Sequence, residues 1–210
     1  MPTLVPTAPG KDIELWNAEE FLDWLEPGVR AELLNGKLLM HSPVSTRHAR
    51  LVNFLDRLVA AFVEQKQLGE IHRETFTIRL DPRRCLMPDI AFFTNAQLTR
   101  FEAAYSPLAP TWVAEVLSPS TAENDTVEKF AAYEQHGVQE YWILDPEALA
   151  HRFYARQGEL LVEFGQDEAI IVSRSIPGYW VRRSWLNPEG MPARPGVASA
   201  LAELLEGRSS

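Results

Sequence analysis

"MPDIAFFT", Met87 to Thr94, and "PTWVAEVLSPS", Pro110 to Ser120, each set one carboxylate, Asp89 or Glu115, in an otherwise apolar run. Short apolar runs bounded by turn residues predict buried strands, and an unpaired charge inside one is strongly unfavourable. Each carboxylate therefore needs a compensating neighbour: a buried hydrogen-bond donor, a cationic side chain or a metal ion. Alternation along "TWVAEVL" puts Val113, Glu115 and Leu117 on one side of the strand, while Asp89 stands where its strand leaves a turn. If the two strands are neighbours, the carboxylates converge at one end of the sheet. Two acidic oxygens aimed at one point suit a hard divalent ion such as Mg²⁺. The plainer alternative is a carboxylate that caps a turn or pairs with an arginine.

Working outward from these strands, Asn17 with Glu20 predicts a capping box that opens a short helix over "AEEFLDWLEP", ended by Pro27–Gly28. Asn35–Gly36 between two apolar runs predicts a two-residue hairpin. Leu51, Phe54, Leu55, Leu58, Val59 and Phe62 fall at helical spacing and mark a long amphipathic helix. Strand-like stretches follow at "EIHRETFTIRL" and "CLMPDIAFFT", then "TWVAEVL", a helix "TVEKFAAYEQH" stopped by Gly137, and a strand "EYWILD". After Ala150 come short strands with turns. The order predicts an α/β domain with a mixed sheet. We expect an N-terminal arm over 1–16, one domain over 17–187, and a tail over 188–210 holding a short helix. Trp180 and Trp185 are expected to fill core or an oligomer interface, and Asp145 to turn the chain out of its strand.

Composition narrows the function. Hydrophobic residues make up 46% and charged residues 23%, an ordinary globular balance. No apolar run is long enough to span a bilayer, and "MPTLVPTAPGKD" lacks a signal-peptide layout, so a soluble cytoplasmic protein is expected. The lone Cys85 excludes an internal disulfide framework and a cysteine-built zinc site. A net charge of −9 argues against a constitutive coat for nucleic acid, though not against a local basic rim around a metal-filled cleft. The small basic clusters, Arg83–Arg84, Arg182–Arg183, and Arg47 with Arg50, read as solvated surface.

The spacing Pro88–Asp89, then Glu115, resembles the PD-(D/E)XK nuclease superfamily. More narrowly, "PDIAFF … WVAEVLSPST … DTVEKFAAYEQHGVQEYWILDP" is similar to the bacterial Uma-two family of restriction-endonuclease-like proteins, over about Phe21 to Trp185. The resemblance implies a restriction-endonuclease-like fold with a central mixed sheet flanked by helices, and an Mg²⁺- or Mn²⁺-dependent endonuclease acting on DNA as a homodimer. It makes Asp89 and Glu115 the metal carboxylates. The superfamily lysine is expected two residues after Glu115, where this chain has Leu117. Lys129, on the next helix, is the replacement the resemblance suggests, a first- or second-turn residue behind a capping box of Asp125 and Glu128. Its alternative is an i,i+4 ion pair with Asp125. Glu32 in "AELLNG" and His48 near the start of the long helix join as assisting residues. The rival reading is a catalytically inactive, dimeric binding or regulatory protein on the nuclease fold.

Overall fold

Asn35 and Gly36 turn the chain with positive φ angles of 52° and 80°, joining β1 (Ala31–Leu34) to β2 (Lys37–Met40) as the sequence predicts. A side chain at Gly36 would meet Leu15 Cβ at 2.9 Å, so packing as well as φ requires glycine there. The computed structural model describes residues 15–73, 76–118 and 124–207. The expected arm over 1–16 lies almost wholly outside the described residues.

Helix α1 (Ala18–Trp24) opens with the predicted capping box, Asn17 and Glu20 each bonding the other's backbone N–H. Helix α2 (Thr46–Gln65) starts at Ser45, whose side chain accepts from His48 N–H. The stretch around "EIHRETFTIRL" is two strands, β3 (Gly69–Arg73) and β4 (Thr77–Asp81), and they join different sheets. "CLMPDIAFFT" divides in the same way, into β5 (Arg84–Leu86) and β6 (Ile90–Thr94). Pro88 lies in the gap; it has no N–H for a ladder and holds Met87 extended, so the chain crosses between layers there. The remaining elements are α3 (Asn95–Leu98), β7 (Tyr105–Ser106), β8 (Trp112–Val116), α4 (Lys129–Gln135), β9 (Glu140–Leu144), β10 (Arg152–Gln157), β11 (Leu160–Phe164), β12 (Ile170–Val172), β13 (Trp180–Arg182) and α5 (Val197–Glu206).

The central sheet has six strands in the order β11-β10-β9-β8-β6-β3, parallel only between β8 and β9. Period-two alternation divides its side chains. Ile90, Phe92, Trp112, Ala114, Val116, Trp142 and Leu144 face α2, α5 and the β12–β13 ribbon. Val113, Tyr141 and Ile143 face α4 and the inner side of a second sheet, ordered β2-β1-β5-β4-β7. Helix α1 closes the outer side of that sheet through Phe21, Ala31, Leu33 and Cys85. The mixed sheet with helices on both faces and added strands after Ala150 agrees with expectation; the second five-stranded sheet does not appear in the linear pattern. Trp180 and Trp185 are buried core, their ring centroids 5.3 Å apart. Cys85 is free and buried, and burial pushes its thiol up to about 12. Asp145 accepts the N–H groups of Glu147 and Ala148 and shapes a turn.

His151 is buried at the start of β10, with Nδ1 lacking a hydrogen-bond partner among the described residues. Burial first, and then the Arg183 guanidinium, lower its pKa from 6.5 to about 4. The unfolded chain therefore takes up a proton before the folded one does. Stability is expected to fall by up to about 3 kcal/mol as pH drops from about 6.5 to about 4. Melting temperatures of wild type and His151→Gln across this range check it. The same pH slope in both proteins would refute it.

Candidate active site

The antiparallel register of β6 and β8 sets Ile90 opposite Ala114, which brings Asp89 beside Glu115 at the sheet's end. Glu115 Oε2 accepts from Asp89 N–H at 3.1 Å, and Asp89 Oδ2 accepts from Val116 N–H at 2.7 Å. His48, from the first turn of α2, places Nε2 3.3 Å from Asp89 Oδ2. Glu32 arrives from the second sheet. Ala31 and Leu33 point to α1, so alternation turns Glu32 inward, where Oε1 accepts from Met87 N–H at 2.6 Å. His41 Nε2 lies 3.4 Å from the other oxygen of Glu32.

Lys129 ties these elements together. Its Nζ is 3.0 Å from Glu32 Oε2, 3.0 Å from Glu115 Oε1 and 3.3 Å from Asp125 Oδ1, and its side chain is 3% exposed. One turn on, the Tyr133 hydroxyl donates to Glu115 Oε1 at 3.0 Å. Burial opposes the charge on Lys129, but Glu115, Glu32 and Asp125 outweigh it and hold the ammonium protonated well above its ordinary pKa. Burial likewise opposes ionisation of Glu32, yet Lys129, His41 and the Met87 N–H bring it down to about 2. Glu115 goes the other way. Burial, with Asp125, Asp89 and Glu32 around it, raises its pKa well above normal despite Lys129. Three carboxylates thus share one ammonium with Asp89 close by, and Glu115 carries the excess.

Of the five residues picked out in the sequence, Asp89, Glu115, Lys129 and His48 line one cleft, and Glu32 stands behind it, joined through the Lys129 ammonium. The predicted capping box of Asp125 and Glu128 is not there. Asn124–Glu128 is a π-helical turn, and the Glu128 carboxylate accepts from Asn35 Nδ2 at 2.5 Å instead of turning back on the helix. A π turn re-aims side chains relative to a regular helix, here directing Asp125 toward Lys129. The ion pair with Asp125 and the reach to Glu115 are both present, so they are not alternatives. Leu117, in the expected lysine position, packs against the cluster of Tyr133, Tyr141 and Ile143. Sequence reasoning missed Asp125 as a member of the site, and Tyr133 and His41 altogether. The spacing of Asp125, Lys129 and Tyr133 at i, i+4, i+8 was the available signal for the first two.

The cleft encloses about 30 Å³ between Met87, Asp89, Glu115, Lys129 and His48, room for a water or a single ion. Cavities of about 430 Å³ exist elsewhere, one of them walled by Leu149, His151 and Arg183, but chemistry rather than size marks the site. Among the described residues no three His, Cys, Asp or Glu side chains gather as a cage for a metal. Two oxygen donors and surplus acidic charge beside a space of this size nevertheless fit an Mg²⁺-type ion, which keeps most of its waters and takes one or two carboxylates. His48 Nδ1 is buried there without a hydrogen-bond partner among the described residues.

A family profile described as "Uma2: Putative restriction endonuclease" matches residues 18–187. Among solved structures, the chain is similar to one described as the "crystal structure of a putative nuclease belonging to DUF820" from Anabaena variabilis ATCC 29413. The match has a TM-score of 0.65 and 19% identity, and covers 89% of this chain and 97% of that one. This likeness establishes the fold. No curated protein matches the chain.

Proposed function

Because the chain belongs to the Uma2 family, whose description is that of a restriction endonuclease, we propose that it cleaves phosphodiester bonds in DNA as an endonuclease dependent on Mg²⁺ or Mn²⁺. The observation that carries this reading is the Lys129 ammonium 3.0 Å from Glu115, which supplies from a helix the cation that Leu117 removes from the strand. Asp89 and Glu115 would hold the metal, which when bound lowers the pKa of a coordinated water and polarises a phosphoryl oxygen.

The remaining groups act through fixed charge and position. Lys129 is too strongly held in its charged form to take a proton, so its role is to orient the attacking water and stabilise negative charge developing on phosphorus oxygens. Glu32 and Asp125 fix the ammonium from two further directions and act as positioning residues. Tyr133 holds one oxygen of Glu115 and leaves Oε2 toward Asp89. His48 steadies Asp89 and offers its second ring nitrogen to a substrate phosphate or a proton. Cutting both strands calls for two such centres, hence a homodimer, to be checked by light scattering.

Wild type is expected to nick supercoiled plasmid with Mn²⁺, and Asp89→Ala to lower the rate about a hundredfold or more. Calorimetry is expected to show Mn²⁺ binding that Glu115→Ala loses. Negligible Mn²⁺ binding in both proteins, with intact plasmid, would leave the non-enzymatic binding protein, the reading favoured by the net charge of −9.

A further inference from the structure

Two cavities of about 430 Å³ each continue outward from the cleft along α2. The nearer shares Arg30, Val44 and His48 with the cleft, adds Asn53 and Arg73, and has no carboxylate in its wall. The farther begins again at Asn53 and adds Arg50, Arg57 and Arg194; its one carboxylate, Glu189, is held by Arg47. Five arginines on one trough reverse the local charge of a chain whose net charge is −9.

Arg50, which reads as mere solvated surface in the sequence, falls with Asn53 and Arg57 at i, i+3, i+7 on one face of α2. That spacing spans about 10 Å, the length of about three nucleotide steps on one strand. Both arginines are exposed; Arg57 attracts the neighbouring Asp56 carboxylate, whose close ion pair is with Arg73. Arg194 lies with its guanidinium 3.9 Å from the centre of the Phe54 ring and donates to the Arg50 carbonyl, so two like charges are held side by side. Arg73 shares its charge with Asp56 at 3.1 Å.

We infer that the phosphodiester backbone of the bound nucleic acid lies along α2, with Arg50, Arg57 and Arg194 holding outlying phosphates and Arg30 and Arg73 leading the strand into the cleft. The inference rests on the preceding section for the chemistry at the cleft, while charge and shape alone place the strand.

The test is anisotropy of a fluorescein-labelled oligonucleotide, single- and double-stranded, titrated with the full chain in EDTA over a range of salt. The double variant Arg50→Glu/Arg57→Glu is expected to bind at least about tenfold more weakly, with the slope of log K against log salt reduced by about 2. Arg152→Gln, on β10 at the other end of the central sheet from β6 and β3, is expected to stay within about twofold of wild type. Thermal melts confirm that both variants fold. Unchanged affinity in the double variant, an equal loss in Arg152→Gln, or no binding by wild type overturns the inference. Plasmid nicking separates the two proposals. A wild type that nicks while the double variant keeps the same KM refutes the track and leaves cleavage standing. A wild type that binds along the track and never nicks does the reverse.

Discussion

Lys129→Met is expected to slow plasmid nicking severely and to destabilise the fold by about 3–5 kcal/mol, the usual cost of stripping one partner from a buried ion pair. Its ammonium lies within 3.3 Å of three carboxylates on β1, β8 and the turn before α4. Without it, Glu32, Glu115 and Asp125 face one another in a site almost closed to water, and they must take up protons or pull apart. The activity loss is expected to be about a hundredfold to a thousandfold, the scale of one pre-oriented electrostatic group. Stability and catalysis part company in the double variant Lys129→Met/Glu115→Gln. Neutralising Glu115 relieves the repulsion, so urea unfolding is expected to recover a substantial part of the lost stability, while nicking does not recover. Nicking by Lys129→Met at the wild-type rate would remove this lysine from the mechanism. Lys129→Arg tests geometry, because a planar guanidinium fork does not fill the place of a compact ammonium.

Glu140→Leu is expected to cost about 4 kcal/mol without touching the cleft, because several buried donors lose their acceptor together. Glu140 is fully buried on the face of β9 that looks toward α2, and its carboxylate accepts five hydrogen bonds. They come from Trp142 Nε1 at 2.6 Å, the hydroxyls of Ser173 and Ser175, and the backbone N–H groups of Arg174 and Ser175. This one side chain therefore fixes the loop between β12 and β13 onto the central sheet. Burial raises its pKa, with the serine and tryptophan donors opposing. Glu140→Gln is expected to recover about half the loss, since the amide oxygen still serves the loop while its NH₂ confronts the Trp142 N–H. Urea unfolding of both variants measures this. A change within about 0.5 kcal/mol in Glu140→Leu, the range of ordinary surface substitutions, would show that the loop holds without it.

Glu140 and Glu115 mark where reading along the chain stops. Each is a carboxylate in an apolar strand, and β8 and β9 lie side by side in parallel. They point to opposite faces of the sheet. One meets a loop full of donors and becomes a structural anchor, while the other meets a lysine and three more carboxylates. Asp89 and the family resemblance single out Glu115 in the sequence; nothing in "EYWILD" announces the four donors that reach Glu140 from residues 173–175. Asp125 failed for a related reason. The pattern D-T-V-E satisfies the spacing of a capping box, and only the π-helical turn shows that both carboxylates look elsewhere.

Local chemistry determined much of this protein. The Asn17–Glu20 cap, the Asn35–Gly36 turn, the apolar stripe of α2 and the alternation of β8 are set by interactions spanning a few residues, and they hold in the structure. The sequence also carried the pairing of Asp89 with Glu115, since a buried charge demands a partner wherever it lies. Tertiary structure alone decided that β4 and β5 leave the central sheet for a second one, that Glu32 crosses from that sheet, and that one lysine serves three carboxylates. Those outcomes depend on which distant segments share a desolvated space, and charge–charge energies there act over a few ångströms between residues far apart in the chain.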